Sequence, residues 1–125
     1  MRNLILTGGI FHPFKESSRA LQKILNKEGI ESEITEDIES GLKNVDDGDY
    51  NLLTVYALRW SMKNGSKYEP YRDQWEYNIS DSGKKYIQKF LEKGGGILGL
   101  HTAAICFDQW EDWISILGGK WIWGK

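Results

Sequence analysis

Three short apolar runs set the architecture this chain can adopt. Leu4–Thr7, Tyr50–Leu58 and Ile97–Leu100 are too short for buried helices. They run out at Gly8-Gly9, Leu58–Trp60 and His101-Thr102, where the chain must turn sharply. Segments with apolar residues at helical spacing separate them. Ala20, Leu21, Ile24 and Leu25 form one stripe behind a cap at Ser17 or Ser18, with Gly29 placed to end the helix. Ile38, Leu42 and Val45 form a second stripe, and Tyr86, Ile87, Phe90 and Leu91 a third behind a cap at Ser80. Strand and helix in alternation predict right-handed crossovers, hence an α/β fold with a doubly wound parallel sheet and helices on both faces.

The remaining segments are weaker signals. Glu31–Glu36 is polar around one Ile and predicts a short edge strand. Asp108 and Glu111 have the spacing of a capping box ahead of Trp110, Trp113, Ile114 and Leu117, which predicts a last helix ending at Gly118-Gly119. "KWIW", with Trp121 and Trp123 alternating, predicts a fifth strand. Arg59–Asn78 is polar, holds Gly65 and Pro70, and scatters aromatic residues among charges, so it is expected to be a long functional loop.

Ligands of open parallel sheets bind beyond the carboxyl ends of the strands. That rule gathers Gly8, Gly9, Leu58–Trp60, His101 and Thr102 at one edge, with His12 a few residues past the first strand. The turn in "GLHTAA" resembles a nucleophile elbow, where small neighbours let a strained residue point into the cleft and backbone N–H groups, here of Thr102 and Ala103, face it. Imidazole does not replace the Ser or Cys usual there. Its open roles are general acid or base, electrostatic partner and metal ligand, beside the plain alternative of packing at a strand end. Cys106, five positions later, is expected to be a buried apolar thiol, with a Cys-His pair as the alternative. Trp60, Tyr71 and Trp75 present ring faces on which sugars stack, or else pack locally.

Composition removes several classes of function. The 125 residues suit one domain; 16 basic and 18 acidic residues are interspersed, so no basic face addresses nucleic acid. The apolar start is too short for a signal core or a membrane span, so a cytoplasmic location is expected. "TGGIFHP" has neither GxGxxG nor GxxxxGK[ST], and no flavin-type hydroxyl-rich turn appears. No cofactor is expected: two histidines and one cysteine lack the third protein ligand that zinc wants.

Three segments together resemble the ThuA-like (trehalose-utilisation) domain, a branch of the class I glutamine amidotransferase-like superfamily. They are "LILTGGIFHPF", "YNLLTVYALRWSM" and "FLEKGGGILGLHTAAICFDQWEDWISILGGKWIWGK", and the likeness spans essentially the whole chain. The resemblance implies a flavodoxin-like sheet, a link to sugar metabolism, and no glutaminase activity, since His101 takes the place of the glutamine-hydrolysing cysteine. It also implies further chain beyond "KWIWGK", so an incomplete domain that is weakly stable alone or associates with itself is expected. The first reading is a sugar-processing enzyme, or an accessory to one, whose partner is a disaccharide or an oxidised sugar, with His101 as the catalytic acid-base or electrostatic group, His12 across the cleft, and Gly8, Gly9, Trp60, Tyr71, Trp75, Thr102 and Ala103 binding the sugar. A non-catalytic carbohydrate-binding module and a metal-dependent hydrolase are the alternatives.

Overall fold

Period-two alternation decides which face of a sheet each residue takes. In the computed structural model, which describes residues 1–124, this divides strand β1 (Arg2–Gly9) between two environments. Leu4 and Leu6 join the main core, while Asn3, Ile5 and Thr7 point to the other face; all five are buried. Strands β2 (Glu31–Thr35), β3 (Leu52–Leu58) and β4 (Gly96–Gly99) complete a parallel sheet in the order β2-β1-β3-β4. The fold is flavodoxin-like α/β, with helices flanking an all-parallel sheet. The expected edge position of the polar β2 holds.

Helices α2 (Ile38–Asp47) and α4 (Asp81–Glu92) cover the main core through Ile38, Leu42 and Val45 from one and Ile87 and Phe90 from the other. Ser80 caps α4 as its position predicts, accepting from the Gly83 N–H at 2.9 Å. The opposite face receives α1 (Phe14–Lys27). It starts four residues earlier than the nearer serine cap predicts, behind Pro13, because burying Phe14 (3% exposed) draws its first turn onto the sheet; Ser18 is consequently an interior residue. Its stripe is only partly used, with Ile24 60% exposed.

Two elements differ from expectation. The supposed loop contains α3 (Glu69–Trp75), preceded by a 3-10 turn at Ser66–Tyr68; Pro70 lies in the first turn of α3, where a missing N–H loses no helical bond. Residues 119–124 form no strand. After α5 (Glu111–Leu117) the chain turns at Gly118, crosses to Ala104, whose carbonyl accepts from Trp121 N–H at 3.3 Å, and stacks Trp123 near Trp60. The predicted capping box is also absent. Asp108 accepts instead from the Ser61 N–H (2.9 Å) and hydroxyl (2.6 Å), leaving α5 without a side-chain cap.

Glu39 ties α2 to the start of α4. Its carboxylate accepts from the Ser80 N–H (3.0 Å), the Ser80 hydroxyl (2.5 Å) and the Tyr77 hydroxyl. Partial burial opposes the charge, but these bonds outweigh it and hold the carboxyl below its ordinary range; burial, then the carboxylate, pushes Tyr77 up. A depressed carboxyl contributes stability that is complete above its unfolded pKa and is lost as pH falls through the folded value. Melting temperature should therefore drop on acidification below the ordinary carboxylate range of about 4, and Glu39→Gln should flatten that part of the profile. An unchanged acid limb in the variant would remove Glu39 from the acid response.

Candidate functional site

The elbow that presents His101 is built by constraint from three sides. Leu100 still belongs to the sheet, its N–H donating to Val55 O at 3.0 Å, and the next residue breaks away with φ +52°. Non-glycine residues rarely adopt that left-handed conformation. Gly99 makes the bend possible, since a Cβ there would lie 2.8 Å from a Leu117 methyl and 3.3 Å from Ala103 Cβ. The 3-10 turn His101–Ala104 is then fastened to β3 by the Thr102 hydroxyl (2.5 Å) and the Cys106 thiol (3.1 Å), both donating to Ala57 O. From the far side Trp113 Nε1–H donates to Ala103 O at 3.0 Å.

His12 arrives from the end of β1, across β3 from the elbow. Its loop turns at Phe11, φ +67°, and its ring lies 5.2 Å, centroid to centroid, from the buried Phe14. His12 Nδ1 is 3.1 Å from Ile10 O. A carbonyl oxygen only accepts, so Nδ1 carries the proton and the Nε2 lone pair is free. That lone pair meets His101 Nε2 at 3.0 Å, with the rings 66° apart. His101 must then donate its Nε2–H, and the contact persists only while one ring donates and the other accepts. His101 is exposed and His12 half-buried, so a ligand can reach both.

The surroundings are aromatic on one side and small on the other. Phe11, 63% exposed, meets the ring of Tyr71 edge-on at 5.1 Å; Tyr71 is 38% exposed. A shallow depression of about 330 Å³ runs from His101 past Gly99 and Ala103 to Lys120. No family model, curated protein or solved structure matches the chain. Its function must be read from this edge.

Several expected site residues have other work. Trp60 is 1% exposed, donates from Nε1 to Asn64 at 2.7 Å and packs on Tyr68, so no sugar reaches its face. Trp75 is half-buried and lies under the Arg59 guanidinium, 5.8 Å from its ring centroid. The Ala103 N–H already donates to Leu100 O at 3.0 Å, so it does not face the cleft as a free donor. Thr102 is buried and anchors the elbow through its side chain. Gly8 and Gly9 end β1, the latter against β3, and contribute backbone rather than chemistry. Phe11 was missed. Its signal was its position between an apolar turn and a histidine, with no partner in a periodic stripe.

Cys106 is 1% exposed, and burial pushes its thiol up to about 12, with Arg59 pulling the other way. A group so rarely a thiolate at neutral pH labels slowly. Native protein should consume a thiol reagent far more slowly than the denatured chain, and prompt native labelling would reinstate a cysteine nucleophile. Among the described residues no group of three or more His, Cys, Asp or Glu side chains is arranged to hold a metal.

Proposed function

We propose that this is a ThuA-like protein of carbohydrate metabolism, acting on trehalose or a related disaccharide at the carboxyl edge of its sheet, without glutaminase chemistry. The observation that carries this reading is the 3.0 Å contact between His12 and His101 Nε2 at a strained strand end. Two imidazoles of opposite hydrogen-bonding role form a proton relay. When the two rings part to admit a sugar, one hydroxyl gives its proton to His12 Nε2 and His101 Nε2–H supplies a proton to a neighbouring oxygen. Removing a proton from one oxygen while supplying one to a neighbour is general acid-base catalysis, typically about 10²–10⁴-fold in rate.

The exposed rings of Phe11 and Tyr71 supply apolar surface for a sugar face beside that polar pair. The buried, protonated thiol of Cys106 supports the exclusion of glutamine hydrolysis. The shallowness of the depression favours a second reading, a carbohydrate-binding module with no proton transfer.

Calorimetric titration with trehalose, maltose and an oxidised disaccharide, combined with a turnover assay on each, tests both. Phe11→Ala should weaken binding about three- to tenfold, as loss of one aromatic contact does. His101→Ala should lose turnover while keeping most of the affinity if the site is catalytic. Retained binding with no turnover in the wild type would leave the module, and no binding of any sugar would overturn both.

A further inference from the structure

The largest hollow among those described lies away from the histidines, between the first half of α1 and the end of β2, with a volume of about 500 Å³. Its floor includes Thr7 of β1, which is 1% exposed and whose hydroxyl has no hydrogen-bond partner. Buried hydroxyls are almost always satisfied, so an unpaired one lining a cleft points to something that binds there.

The walls carry opposite charge. Lys15 and Arg19 stand four residues apart on α1, about one turn or about 6 Å of rise. Glu36 faces them from the end of β2, its carboxylate lying against Gly8. Among the described residues none of the three forms an ion pair. Two unpaired cations and one unpaired carboxylate define the complement: two carboxylates and one ammonium. We propose that this cleft binds a dicarboxylic amino acid, with its carboxylates on Lys15 and Arg19, its ammonium on Glu36, and the Thr7 hydroxyl donating to a carboxylate oxygen.

The charge count separates this ligand from simpler ones. Inorganic phosphate satisfies the cations and is repelled by Glu36, and a dicarboxylate without an amine leaves Glu36 unpaired. The cleft shares no lining residue with the depression at His101, so it does not depend on the sugar reading.

The full chain, amide-labelled, should be titrated with L-glutamate, glutarate and inorganic phosphate. Saturable shifts centred on Thr7, Ser18 and Thr35 are expected with L-glutamate, at a Kd near about 1 mM for a small exposed site, and weaker ones with the other two. Arg19→Ala and Glu36→Gln should each weaken L-glutamate about tenfold, the usual loss for a hydrogen bond to a charged group, and Glu36→Gln should narrow its advantage over glutarate. Thr7→Val should weaken L-glutamate while raising the melting temperature of the free protein, since an unpaired buried hydroxyl is removed. Equal or tighter binding of phosphate or glutarate overturns the proposal, as does an absence of saturable shifts at Thr7. Unchanged affinity in Thr7→Val overturns the role given to its hydroxyl.

Discussion

Replacing His101 by glycine should abolish function and leave the protein as stable as before, or more so. Left-handed backbone costs a non-glycine residue about 1–2 kcal/mol, and His101 stands there at φ +52° with its side chain exposed. Glycine removes that strain and gives back part of the gain, about 0.5–1 kcal/mol, through its freer unfolded chain. Little packing is lost. In the proposed relay this removes the donor, so turnover should fall about 10²–10⁴-fold. Thermal melts and turnover assays on the same preparation check this. A drop of many degrees would show that the imidazole holds the fold together, and the strained elbow would then serve structure.

Gly9→Ala should damage the site from a position that touches no ligand. An added Cβ would lie 2.4 Å from the carbonyl oxygen of Leu58, a backbone atom that cannot swing aside, and φ is +132°. Strain of both kinds amounts to about 2–4 kcal/mol. Gly9 pairs with Leu58 where β1 and β3 end, and the next residues of β1 lead directly to Phe11 and His12. Forcing the strands apart there should withdraw His12 from His101, so sugar binding falls along with the melting temperature. A stable variant with unchanged binding would show that the loop sets itself independently of the strand ends.

The meeting of His12 with His101 was legible in the sequence because topology alone brings strand ends together. Once Leu4–Thr7 and Ile97–Leu100 are parallel strands, whatever follows them lies at one edge. The buried helix residues were legible for a similar reason: Ile38, Leu42 and Val45 repeat at a spacing that only a helix turns to one side. Features set by distant partners were not. Asp108 has the sequence signature of a cap and spends its carboxylate on Ser61, 47 residues away in the chain. Trp60 reads as a loop aromatic and is instead a core residue, because the 3-10 turn that leads into α3 brings Tyr68 against it. Trp121 and Trp123 alternate as in a strand, but the chain turns at Gly118 toward Ala104 before it can pair with β4. No local pattern could announce the unpaired hydroxyl of Thr7, which follows from where α1 lies over the sheet.

The most direct test of the proposed sugar site is to watch the two imidazoles themselves. Long-range nitrogen-proton spectra resolve the ring nitrogens of His12 and His101 and report which of them carries a proton. In the free protein His12 should be protonated at Nδ1 and His101 at Nε2, as the contacts to Ile10 O and between the rings require. Addition of trehalose or a related disaccharide should shift both Nε2 signals together and saturably, with Phe11 and Tyr71 ring protons moving in parallel. Imidazole signals that stay fixed through sugar concentrations that saturate shifts elsewhere, or through the whole range tested, would contradict the site.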